Sequence, residues 1–166
     1  MIHVDLEDFF IIECVDENGK QRWVETIENL VVTAGLNDIL DKYFKGSTYT
    51  AAHFVGLTAG TPVFAAGDTL ASHSGWTEST VYSEATRPAY TPGTVSAGSV
   101  DNSASKAAFS INSSGTVGGA FIATNSTKGG TTGKLYGGGA FAGGNRDVIS
   151  GDTINVTVTA TAAAAA

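Results

Sequence analysis

The stretch Asp152–Thr161 reads DTINVTVTAT, in which Ile154, Val156 and Val158 alternate with Asn155, Thr157 and Thr159. An apolar residue at every second position marks a strand with one face buried and the other wet. The same period runs back through the second half of the chain. Phe109 and Ile111 flank Ser110, and further strands are predicted at Val95–Val100, Ala107–Asn112, Val117–Asn125 and Leu135–Phe141, separated by Gly and Asn clusters that favour turns. Upstream, Phe9–Val15 and Gln21–Ile27 flank Asp16-Glu17-Asn18-Gly19, a hairpin turn whose Asn-Gly pair tolerates positive φ. His53–Leu57 and Trp76–Glu84 complete the strands, with a long connection over Thr58–Gly75 and a rigid loop around Tyr90 between Pro88 and Pro92. Short strands at this spacing in 166 residues predict an all-β fold: a β-sandwich of jelly-roll type with an N-terminal β-hairpin.

One short α-helix interrupts the strands. Leu36, Ile39, Leu40, Tyr43 and Phe44 fall on one helical face, so a helix is predicted over Thr33–Phe44, closing one side of the sandwich. Thr33 is its expected N-cap, Lys42 and Lys45 suit its C-terminal dipole, and Gly46 stops it. The chain then divides into an acidic hairpin arm (1–31), a β-sandwich body (32–161) and an Ala-rich tail (162–166).

Charge is sparse and lopsided. Charged residues make up 15% of the chain and the net charge is −7. Residues 1–45 carry ten acids against four bases. Phosphate neutralisation needs clustered Lys and Arg, so no nucleic-acid partner is expected. The acidic arm reads either as a solubilising face or as a surface for a basic partner. Cys14 stands alone in an apolar run, which leaves no intrachain disulfide and reads as a small buried hydrophobe. The acidic N-terminus lacks the basic head of a signal peptide, and no stretch has the ~20 apolar residues of a membrane span. Synthesis in a cytoplasm and no membrane partner are the expectations.

The motifs that invite chemistry each read as structure. Gly129–Leu135 (GGTTGKL) is one residue short of a phosphate loop, and Leu135 replaces the magnesium-binding hydroxyl. A Gly-rich hairpin turn is expected there. His3, His53 and His73 are scattered, without a second His at zinc-ligand spacing. His73 lies between Ser72 and Ser74, yet no nucleophile elbow presents a serine. Glu78 and Glu84 share strand parity but would stand roughly 20 Å apart, too far for a glycosidase pair. Asp68 and Asp152, each in a Gly-Asp-Thr triplet, are placed to accept backbone N–H groups and fix turns. Asp101 with Asn102 reads as an Asx turn or as part of a calcium site. The sequons at Asn112, Asn125 and Asn155 lack a secretory signal to accompany them. No catalytic residue, metal or cofactor is expected.

Four stretches resemble a family of small virion structural proteins of tailed bacteriophages. They are NLVVTAGLNDILDKYF (29–44), DTLASHSGWTESTVYSEATRPAYTPG (68–93), SASKAAFSINSSGTVGGAFIATNSTKGGTTGKLYGGGAF (103–141) and VISGDTINVTVTAT (148–161). The resemblance covers Asn29–Thr161 and is most specific at Trp76–Arg87 and Ser126–Gly133; Met1–Glu28 lies outside it. It implies a non-enzymatic virion component. Size, a compact β body and the lack of repeats favour a head decoration (cement) protein on the capsid exterior, with the major capsid protein lattice as partner. Self-association as a trimer, or secondly as a dimer, is expected. A tail-fibre or receptor-binding module, a neck protein and a carbohydrate-binding module stand as alternatives, the last with Trp76, Tyr82 and Tyr90 as its sugar platform. The expected contact residues are Phe9, Phe10, Ile11 and Ile12, a run too apolar for a free hairpin, and the aromatic anchors Trp23, Trp76, Tyr82 and Tyr90. Trp76 doubles as a core candidate.

Overall fold

The computed structural model describes residues 4–49 and 52–164; Met1–His3 of the expected arm, His3 among the histidines, and Ala165–Ala166 of the tail lie outside the described residues. The first strands are β1 (Val4–Val15), β2 (Gln21–Glu28) and β3 (Leu30–Val31), followed by α1 (Thr33–Ile39) and a π-helical turn, Leu40–Phe44. Next come β4 (Phe54–Ala59), β5 (Thr77–Ser79), β6 (Ser99–Asp101) and β7 (Ala107–Ser110). The chain ends through β8 (Gly115–Val117), β9 (Gly119–Ala123), β10 (Leu135–Ala140), β11 (Arg146–Val148) and β12 (Thr153–Ala164). All the pairings are antiparallel, and the all-β expectation with one short helix holds.

Two five-stranded sheets form the body. In the first, β2, β1 and β12 lie side by side, and β6 and β7 share the far edge of β12. The second runs β3-β10-β9-β4-β5, and β8 pairs with β11 separately. Asn29 carries the chain from β2 in the first sheet to β3 in the second, which joins the sheets at one corner. That corner is tight. A Cβ on Gly137 would stand 2.5 Å from the Leu30 carbonyl oxygen, and one on Gly139 would stand 2.6 Å from that of Glu28. The glycine run of β10 is there for backbone approach.

The core lies between the sheets. Phe10, Ile12 and Cys14 of β1 and Ile154, Val156 and Val158 of β12 pack with Val55 and Leu57 of β4 and Ala120 and Ile122 of β9. Burial pushes the Cys14 thiol up to about 12, in keeping with an inert buried side chain. A second, smaller core covers the opposite face of the second sheet. Phe121, Ala123 and Leu135 meet Val32, Leu70 and Trp76 there, beneath the Thr58–Gly75 connection. β9 is therefore buried on both faces, which explains its unbroken apolar run Ala120–Ala123.

Several expectations need correction. β1 is no arm: it pairs with β2 on one edge and with β12 along its whole length on the other. Ala162–Ala164 of the expected tail extend β12 opposite Val4–Leu6. Trp76–Glu84 forms a ladder only over Thr77–Ser79, because Trp76 turns into the second core and Tyr82 bridges to Ile111. Thr33 does not cap α1; Val32 holds that position and no side chain caps it. The turn readings hold. Asp16 accepts from Asn18 and Lys20, Asp68 from the Ala65 N–H, Asp152 from the Ile149 N–H, and Asp101 makes its Asx turn to Ser103.

Candidate functional site

The helical segment sits on the second sheet with its polarity reversed. Its inward residues are Gly35 and Asp38. A Cβ on Gly35 would stand 2.6 Å from the Tyr136 carbonyl oxygen, so this glycine lets α1 lie directly on β10. Lys134 donates to one oxygen of the Asp38 carboxylate, and the Tyr136 hydroxyl donates to the other at 2.7 Å. Burial alone would raise the Asp38 carboxyl, but these hydrogen bonds outweigh it and hold it below the usual carboxylate range. Asp38 pins the helix and turns its apolar stripe to solvent. Leu36, Leu40, Tyr43 and Phe44 are 40%, 55%, 81% and 67% exposed.

A cleft opens where the helical segment meets the sheet. One part, about 430 Å³, is lined by Ile39, Lys42, Tyr43, Tyr49, His53 and Tyr136. An adjoining part, about 360 Å³, shares Lys42, Tyr49 and His53 and reaches Asp38 and Lys134. His53 meets Tyr136 edge-on at 4.8 Å. Burial lowers the His53 pKa, and the Asp38 charge opposes this more weakly, so the ring is neutral at pH 7. Burial and Asp38 together push the Tyr136 phenol well up, which keeps its proton in place. At the cleft Lys134 pairs with Asp38, and Asp41 is shared by Lys42 at 3.5 Å and Lys45 at 3.2 Å.

The contact residues expected from the sequence separate into three groups. Phe10, Ile12 and Tyr82 are fully buried and Trp76 is 6% exposed, so they are core and cannot meet a partner. Tyr82 stands edge-on to Phe109 at 4.9 Å, and Trp76 stacks between His73 and Phe64 while donating to Asp68 at 3.0 Å. Trp23 and Tyr90 are half-buried against the main core, Trp23 edge-on to Phe141 and Tyr90 with its hydroxyl buried and without a partner among the described residues. Phe9 and Ile11 remain, on the outer face of the first sheet, Ile11 39% exposed beside Val24 at 49%. The sugar platform of Trp76, Tyr82 and Tyr90 does not exist as a surface. The acidic arm is partly neutralised by the body, Glu13 by Lys106 and Glu25 by Arg146, while the arm's own Arg22 is taken up by Asp152.

Tyr43, Tyr49, His53 and Tyr136 escaped sequence reasoning as a group because they come from three separate segments. The clue to the helix was present: Gly35 and Asp38 share a face opposite the leucines, and a glycine on a helix face permits close backbone approach. Arg87 escaped as well. Its buried guanidinium pairs bidentately with Glu78 at 2.9 and 2.7 Å, donates to the carbonyls of Asn125 and Gly130, and lies 5.1 Å over the Phe121 ring. It fastens Trp76–Arg87 to Ser126–Gly133, a structural staple with no reactive group exposed.

Among the described residues no group of three or more His, Cys, Asp or Glu could hold a metal ion, and no helix is long and apolar enough to cross a membrane. In comparisons with known proteins, no family model, curated protein or solved structure matches the chain.

Proposed function

We propose that this chain is a non-enzymatic structural protein of a tailed-phage virion, a decoration protein that binds the outside of the head and reinforces the major capsid protein lattice. The observation that carries the reading is the outward apolar ridge of Leu36, Leu40 and Phe44, fixed on a stiff sandwich by Gly35 and Asp38. An exposed apolar patch held rigidly is suited to burial against another protein. The resemblance of Asn29–Thr161 to phage virion proteins supplies the partner, and it includes this ridge. A ligand that binds the assembled lattice but not its separated subunits stabilises the assembly by linkage, and many weak copies act together. Self-association as a trimer, or as a dimer, belongs to the same proposal.

Mass spectrometry of purified particles with copy counting tests it. A copy number matching the capsid lattice supports decoration. A number matching a single vertex or a tail moves the protein to the neck or fibre. Recombinant protein carrying Leu40→Asp and Phe44→Asp is expected to lose binding to undecorated heads in a co-sedimentation assay. Full binding by that variant moves the contact to another face.

A further inference from the structure

We propose that the cleft beside the helical segment binds a neutral oligosaccharide, with the rings of Tyr43 and Tyr49 as its stacking surfaces. This is separate from the virion reading and stands or falls without it. Tyr43 is 81% exposed and Tyr49 57%, and the two line one concavity with Tyr136 and His53. At about 430 Å³ the space is on the scale of small-ligand sites. A tyrosine at an open cleft offers an apolar face for the C–H side of a sugar ring and a hydroxyl for its polar edge.

Charge selects the ligand class. A cation is disfavoured, because the Asp38 carboxylate facing the cleft is taken up by Lys134 and Tyr136, and Lys42 adds an ammonium group to the rim. An anion meets at most one incompletely matched ammonium, since Lys134 is paired with Asp38 and Asp41 is shared by Lys42 and Lys45. His53 carries no charge at neutral pH to change that balance. A purely apolar ligand would strand the Lys42 ammonium and the Thr48 hydroxyl against it. A neutral molecule with apolar faces and a hydroxyl rim satisfies both the aromatic and the polar lining. Burying the ring faces against a sugar leaves Lys42 and Thr48 free to donate to its hydroxyls.

Saturation-transfer NMR and titration calorimetry with maltohexaose, cellohexaose and chitohexaose test the site on the full chain. At least one is expected to bind with a Kd of about 1 mM or tighter. Tyr43→Ala and Tyr49→Ala should each weaken it about tenfold, the scale of one lost aromatic contact, whereas Tyr43→Phe keeps the stacking and most of the affinity. Both tyrosines are exposed, so thermal melts of the variants should overlay the parent protein. No binding of any of the three sugars at about 10 mM overturns the proposal. So does binding that both alanine variants leave unchanged, or tetramethylammonium outcompeting every sugar at the same tyrosines.

Discussion

Two apolar stretches in the first quarter of the chain end up in opposite situations. Phe9–Ile12 looks like the sticky part of an arm, yet Phe10 and Ile12 are fully buried in the centre of the first sheet. Leu36–Phe44 looks like a helix that closes the core, yet its leucines and aromatics face solvent. Apolar content is similar in the two; what differs is what each can pair with. β1 finds a twelve-residue partner in β12, so its backbone and its inward side chains are satisfied by the body itself. The helical segment offers the body a glycine and an aspartate, and the body accepts those. Burial was decided by the less apolar face, because Gly35 permits contact with Tyr136 and Asp38 finds two donors.

The contrast breaks most readily at β1. Phe10→Ala should cost about 3–5 kcal/mol, since it empties a fully buried site between the sheets. That is a large part of the 5–15 kcal/mol that holds a typical domain. Deleting Met1–Glu28 should remove the strand between β2 and β12, together with β2, and leave no cooperative unfolding transition. Denaturant melts followed by circular dichroism and tryptophan fluorescence measure both. A soluble, cooperatively folding truncation would restore the arm and reverse the comparison.

How much of this was legible follows from what periodicity can say. The alternation in Ile154–Thr159 and in Phe109–Ile111 correctly located β12 and β7, because a period of two specifies a face whatever lies opposite it. Turn chemistry was equally local: Gly19 takes its positive φ of 77° and Asp16 holds the hairpin. The helical stripe was also real, but a stripe does not say whether it meets the body or a partner. That depended on Lys134 and Tyr136, about a hundred residues away, as the Arg87 staple depended on Glu78, Asn125 and Gly130. Phe9–Ile12 misled for a related reason. A continuous apolar run implies two covered faces, yet Ile11 on the outer face stays partly exposed. The Thr58–Gly75 connection carried no periodicity at all, although it covers the second core.

A middle-sized effect sharpens the comparison from inside β1. Asp8 accepts from Asn29 at 3.2 Å, and burial raises its carboxyl above the usual 3.8, the Asn29 hydrogen bond opposing this more weakly. A carboxyl whose folded-state pKa is raised binds its proton more readily when folded. Its contribution to stability is therefore largest in acid and is lost as pH rises from 3.8 through the raised value. Asp8→Asn keeps an acceptor for Asn29 and removes the charge that burial disfavours, so at pH 7 it should stabilise the fold. Below pH 3.8 the gain should vanish. Parallel melts across pH measure the gap, and a variant less stable than the parent at pH 7 would place Asp8 in an ion pair instead.

The smallest effect on stability belongs to the helical ridge, and its smallness is the point. Leu40 and Phe44 are more than half exposed, so replacing them with Asp removes little buried area and leaves no buried charge. Leu40 lies where α1 passes into the π-helical turn, and the Lys45 N–H donates to the Leu40 carbonyl at 3.1 Å, a backbone bond that the substitutions keep. The doubly substituted protein should unfold within about 0.5 kcal/mol of the parent. Under the proposed self-association, with the ridge as the contact between copies, the doubly substituted protein should sediment as a smaller species in analytical ultracentrifugation. Phe10→Ala provides the scale against which this is read. If the ridge substitutions cost as much as that core truncation, the stripe is packed against the body in solution. The helix would then be the closing element that its periodicity suggested.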